Sequence, residues 1–224
     1  HLAEAAASLR SARSAALAAL SVLDDANGID ALQGLLASRS AETRYGAFRA
    51  LARLDPGMPL VRGERLGDAC SLHVLDVEGP PLVHATRSNR PEIVFFGTDH
   101  RVARGLRAEA GRAIVVVVDG PLASVSRFLP GESDRQTEVP PDAPSIVRAI
   151  IELGGGYPDA VQFLQQAAAG RFLRSRLAFD AVPTAFDGRP AIHEEASAHG
   201  TDDADESEDS TAASAAARSA GEPS

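Results

Sequence analysis

The chain has 224 residues, 44% of them hydrophobic, which is enough length and apolar content to bury a real core. Its formal charge is −9, but the charge is uneven. Residues 1–62 hold seven Arg against six acids, and residues 188–224 hold two Arg against nine acids. No basic stripe suited to a phosphate backbone emerges, which argues against nucleic acid as a partner.

All 22 basic residues are arginine, a bias that fits a GC-rich genome and removes lysine chemistry, whether Schiff base or P-loop, from this segment. Cys70 is the single cysteine, so an internal disulfide and a cysteine-cluster zinc site are both excluded. The sequence starts at His1 instead of Met, so it is expected to be a fragment, and a missing leader carries no information. No run approaches the roughly 18 apolar residues of a membrane span.

In chain order, residues 1–56 read as helical. Leu9, Leu17, Leu20 and Leu23 recur at three- and four-residue steps through alanine-rich sequence. Arg13 to Asp24 aligns without gaps to Arg44 to Asp55, pairing Leu17 with Phe48 and Leu20 with Leu51, and a short pattern of Ile29, Leu32, Leu35 and Leu36 lies between. This is expected to be a HEAT-like helical repeat, with a plain antiparallel bundle as the alternative. Two units are fewer than the roughly three a solenoid needs, so either further units precede them or the helices dock on the β domain.

Asp55-Pro56-Gly57-Met58-Pro59 ends the helical region. Residues 66–183 then read as an α+β domain with a mainly antiparallel sheet and a helical hairpin packed on it. The expected strands are Leu72–Val77, Leu82–Thr86, Glu92–Phe96, Val102–Glu109, Ile114–Val118, Leu122–Phe128, Gln136–Val139 and Leu177–Val182. Ile114–Val118 is wholly β-branched, which fits a buried central strand. Leu72–Val77 and Ile93–Phe96 are its expected neighbours, and Asp119-Gly120 is expected to supply positive φ for a tight hairpin with Leu122–Phe128 as the return strand. Asp142 reads as a helix N-cap with Pro144 behind it, Gly154-Gly155-Gly156 as that helix's stop, and Tyr157-Pro158-Asp159 as the start of the second helix. Residues 188–224 are almost entirely Ser, Ala, Asp and Glu and read as a disordered acidic tail.

Candidate chemistry is sparse. His73 and His84 fall on neighbouring expected strands and, with Asp99, make the one conceivable two-histidine, one-carboxylate metal site. Their spacing is not diagnostic, and ordinary hydrogen-bonded histidines are the plainer explanation. The three glycines follow a helix and lack the setting of a phosphate cradle. Ser124 and Ser126 have no nucleophile-elbow sequence around them, and Glu109 and Glu152 have no identifiable acid–base partner. No catalytic residue and no cofactor is expected.

Three stretches carry a family resemblance: Pro91 to Gly97, Ala123 to Phe128, and Ile150 through Tyr157 to Gln166. With Ala178 to Pro183 they make residues 10–183 similar to the C-terminal region of bacterial flagellar basal-body P-ring proteins, in which helical repeats precede a β-rich module. The ring-forming region of that family is not in this segment. The resemblance implies a non-enzymatic structural role in the periplasm, with flagellar rod or ring components, or further copies of the chain, as protein partners and no cofactor. On that expectation Arg44, Tyr45 and Arg49 would lie on a partner-binding surface of the repeat helices. The alternatives are a HEAT-repeat adaptor for a soluble partner unrelated to flagella and, behind it, a metal-dependent enzyme using His73, His84 and Asp99.

Overall fold

A computed structural model describes residues 26–179, and the first repeat copy and the acidic tail lie outside them. Helix α1 (Ala26–Leu35) and helix α2 (Ala41–Leu54) come first and pack on each other. Ser40 starts α2 as its N-cap, accepting from Thr43 N–H at 3.2 Å, with Glu42 in the first turn and Arg53 in the last. Strands β1 (Glu64–Leu66), β2 (Cys70–Leu75), β3 (Leu82–Ala85) and β4 (Glu92–Phe96) come after them. Next come β5 (Leu106–Ala110), β6 (Ile114–Val118), β7 (Ala123–Arg127) and β8 (Arg135–Val139). Helices α3 (Ala143–Glu152) and α4 (Tyr157–Ala169) and strand β9 (Arg176–Phe179) complete an α+β fold.

The strands form two sheets where one was expected. The first has the order β1-β2-β4-β3-β9, and the second is a β5-β6-β7-β8 meander with every pair antiparallel. In the first sheet β1–β2 and β3–β4 pair antiparallel, while β2–β4 and β3–β9 pair parallel. Leu72–Val77 and Ile93–Phe96 are therefore not neighbours of Ile114–Val118, whereas the expected return strand within Leu122–Phe128 is one, as β7. Ile114–Val118 pairs with β5 and β7, the strands next to it in sequence, as short hairpin connections favour. Its turn also differs from expectation. Residues 119–122 join β6 to β7, and Gly120 does not take positive φ. A loop of this length closes without the left-handed geometry that a two-residue turn demands.

Each sheet face finds a different cover. One face of the first sheet contributes Leu75, Leu82, Val94 and Phe96 to a core with Leu32, Leu36, Phe48 and Leu51 of α1, α2 and the turn between them. The opposite face contributes Cys70, Leu72, Val83, Ile93 and Phe95 to a second core shared with α3, α4 and the inner face of the meander. Helix α3 touches β7, β8 and β1, and α4 touches β5 and β9, so the hairpin packs against both sheets.

The hairpin's ends obey the expected chemistry. Asp142 accepts from Ser145 N–H at 2.9 Å, and Gly154, at φ +92, ends α3 in a conformation other residues resist. A Cβ on Gly154 would also lie 2.8 Å from Arg127, whose guanidinium donates to Leu153 O at 2.8 Å and caps that terminus. At the start of α4, Asp159 accepts from Gly156 N–H at 2.8 Å. Along the outer edge of β5, the Gln166 amide both accepts from Glu109 N–H at 3.0 Å and donates to Glu109 O at 3.1 Å. Gln162 accepts from Gly111 N–H at 3.1 Å. No helix among the described residues is long and apolar enough to cross a membrane.

Candidate functional site

The sheet register decides which polar groups meet under α2. His73 on β2 and His84 on β3 both pair with Val94 of β4, so the three side chains form one row facing the helix. Helix spacing puts Tyr45, Phe48, Arg49 and Arg53 over that row and the next. Tyr45 stacks on His84 at 3.7 Å between ring centres, and Phe48 meets His73 edge-on at 4.9 Å. His73 Nδ1 donates to Val61 O at 2.8 Å, since a carbonyl only accepts, and the chain at Gly63 crosses so close that a Cβ there would lie 2.4 Å from the ring.

The neighbouring row, Ser71 and Glu92, lies at the mouth of this layer. Tyr45 O–H donates to Glu92 Oε1 at 2.7 Å. Arg49 approaches the same oxygen at 3.8 Å, and His73 Nε2 stands 3.6 Å from Oε2. Burial first, and then the Glu92 charge, push the Tyr45 hydroxyl well above its usual range, so it stays a donor. Outward of Glu92 opens a cleft of about 570 Å³ lined by Arg49, Arg53, Arg65, Arg90, Ser71 and Glu92, with Ala52 and Pro91 as its apolar part. Four arginines and one carboxylate thus line it. Arg65 and Arg90 are exposed, and Arg65 Nε donates to Gly67 O at 3.1 Å, which fixes its stem.

The remaining polar groups are spent on cross-linking the fold. Arg44 is 1% exposed, donates to Pro80 O and to Glu78 O, and lies 4.9 Å over the Phe96 ring. Burial, then the charge of Arg176, lower its pKa. His100 donates through Nε2 to Gly97 O at 2.9 Å, leaving Nδ1 to accept the Ser175 hydroxyl at 2.6 Å. Both residues are buried, and burial pulls the His100 pKa below its ordinary value. The Cys70 thiol is buried and pushed up to about 11, so it stays protonated.

Measured against the sequence expectations, Arg44 and Tyr45 do not lie on a partner-binding surface. They face the sheet and are 1% and 3% exposed. Arg49, one turn on, is the one of the three that reaches the surface, at 34%. His73, His84 and Asp99 do not converge either. β4 separates the histidines, and Asp99 sits outside, paired with Arg101 at 3.0 Å and Arg174 at 3.2 Å. Those arginines, with the Arg101 hydrogen bond foremost, hold the Asp99 carboxyl below the usual range. Among the described residues no three His, Cys, Asp or Glu side chains are grouped to hold a metal ion.

Sequence reasoning missed Arg53, Arg65, Arg90 and Glu92. The four-residue step from Arg49 to Arg53 was visible, but Arg65 and Arg90 reach the cleft only through the β1-β2-β4 order, which rests on a parallel pair. Compared with known proteins, the chain matches no family model, no curated protein and no solved structure.

Proposed function

We propose that this chain is a non-enzymatic assembly module that acts by binding a protein partner. One observation carries the proposal. Among the described residues, Cys70, His84, His100 and Ser175 lie buried within the packing of the fold, whereas Arg53, Arg65 and Arg90 of the α2 cleft are exposed, where recognition takes place. Buried, engaged side chains stabilise and orient, and guanidinium groups at a concave surface bind.

The leading cellular setting is the one implied by the family resemblance, a periplasmic component similar to the flagellar P-ring. What supports it is the set of sequence stretches at Pro91 to Gly97, Ala123 to Phe128 and Ile150 to Gln166, which correspond to β4, to β7 and to the α3–α4 hairpin. The α1–α2 pair is read as one unit of a HEAT-like array. Its support is the alignment of Arg44 to Asp55, which spans most of α2, with Arg13 to Asp24.

Crosslinking in intact cells followed by affinity capture tests this. Recovery of rod and outer-ring flagellar components is the expected result. Recovery of cytoplasmic partners alone would sink the flagellar setting and favour a HEAT-type adaptor.

A further inference from the structure

We infer that the cleft between the last turns of α2 and the β1-β2-β4 end of the first sheet is a carboxylate-binding site, and that its ligand is an acidic segment of a partner protein. The inference rests on the proposal of a protein-binding module and names the chemistry that its partner presents.

Charge is the first argument. Arg49, Arg53, Arg65 and Arg90 come from a helix, a short edge strand and a turn, and they converge on one concavity whose single opposing charge is Glu92. Glu92 is itself drawn inward by the Tyr45 hydroxyl and is only 16% exposed. Arg49 and Arg53 have partners of their own within the chain, so the charge offered to a ligand rests on Arg65 and Arg90, both exposed at the rim. Arg65 spends its Nε on Gly67 O, and its two terminal amino groups are further donors.

Geometry is the second. A guanidinium presents parallel N–H groups that match the two oxygens of a carboxylate, and such pairs are the stronger kind of ion pair. The cleft already holds one carboxylate, that of Glu92, which accepts the Tyr45 hydroxyl and has Arg49 3.8 Å from the same oxygen. Its volume of about 570 Å³ and its open shape admit a short extended segment. Ala52 and Pro91 supply an apolar strip for the small side chains between acids, and Ser71 supplies a hydroxyl.

The test uses the full chain and a fluorescein-labelled peptide of alternating Asp and Gly, with the Asn counterpart as control, read by anisotropy at low and at physiological salt. The Asp peptide is expected to bind, more weakly as salt rises, and the Asn peptide not to bind. Reversing both rim charges with Arg65→Glu and Arg90→Glu is expected to weaken binding roughly ten-fold. Glu92→Gln keeps an oxygen to accept the Tyr45 hydroxyl and removes the opposing charge, so binding is expected to tighten about 2–5-fold. Arg107→Glu, an exposed change on β5 in the other sheet, is the control and should leave affinity unchanged. A native-like thermal melt of each variant keeps the comparison interpretable.

Equal binding of the Asp and Asn peptides overturns the inference, as does an Arg107→Glu loss matching that of the rim pair. Capture of anionic phospholipid vesicles without any binding of the Asp peptide also overturns it. The wider proposal fails separately. If crosslinking recovers a protein partner equally well with the rim variant, the cleft is wrong and the binding module stands.

Discussion

In the first sheet, β3 is buried at every position and β4 at all but its first, because α1 and α2 cover one face and the second core covers the other. In the second sheet, β5 and β6 alternate between buried residues and exposed or half-buried ones, because the meander is covered on one face only. The two strand textures come from cover and not from composition. Ile114–Val118 has the more continuous β-branched run, yet Val115 and Val117 are half-buried on the outer face, while Leu82–Ala85 carries a histidine and is buried throughout. A doubly covered sheet must take its polar groups inside with partners. That is why the Tyr45, His84, His73 and Glu92 cluster belongs to the first sheet, and why the serines of β7 in the second are merely half-buried.

The comparison breaks most directly at Phe96 of β4, which is 0% exposed and packs edge-on to Phe48. Phe96→Ala is expected to cost about 3–5 kcal/mol in urea unfolding. The steric limit on the helix-covered face is sharpened by Gly63→Ala. The new methyl meets the His73 ring at 2.4 Å and Leu72 O at 2.7 Å, and a loss of about 1–3 kcal/mol is expected. In a His73→Ala background the cost of Gly63→Ala should be smaller but not nil, since the Leu72 carbonyl remains.

A smaller effect comes from His100, which packs edge-on against Phe95 of the doubly covered sheet at 4.9 Å. Burial depresses its folded pKa, while Asp99 and Asp142 oppose the shift, so the unfolded chain binds its proton more readily. The contribution to stability is therefore fully present above the unfolded value of about 6.5 and falls as pH drops through and below it. The urea midpoint of the native chain should fall more between pH 8 and pH 5.5 than that of His100→Gln. Equal slopes would refute the assignment. The least effect is expected on the open face of the second sheet, where Val117→Thr should stay within about 0.5 kcal/mol of the native chain. A cost matching that of Phe96→Ala would mean that the two sheets are not covered differently after all.

Element positions were largely legible in the sequence, and the meeting of elements was not. Turn and cap chemistry announced itself locally at Asp142, Gly154 and Tyr157, and strands β4 and β6 fall where their apolar runs predict. The three-residue strand β1 was missed because Glu64, Arg65 and Leu66 show no alternation to detect. The division into two sheets was missed because strand pairing across long sequence separations, such as β2 with β4 and β3 with β9, leaves no mark on either strand. The candidate site suffered most from this. Arg44 and Tyr45 were read as surface because charge and a hydroxyl usually are, whereas here carbonyls at Pro80 and Glu78 and a carboxylate at Glu92 accept them inside.

The Gln166 amide lying along β5 has a consequence for how copies of this chain meet. A strand at the rim of a sheet is an open template, and the common ways to close it are charge, a bulge or a covering element. Here one carboxamide imitates the donor and acceptor of a missing neighbour at Glu109, and Gln162 repeats the move at Gly111. The meander is thereby covered at Glu109 and Gly111 on one side, and its other rim, β8, presents exposed Arg135, Gln136 and Glu138. An assembly built from this chain would not grow by zipping meander to meander through β5, and that rim is guarded against the edge-to-edge stacking from which fibres begin.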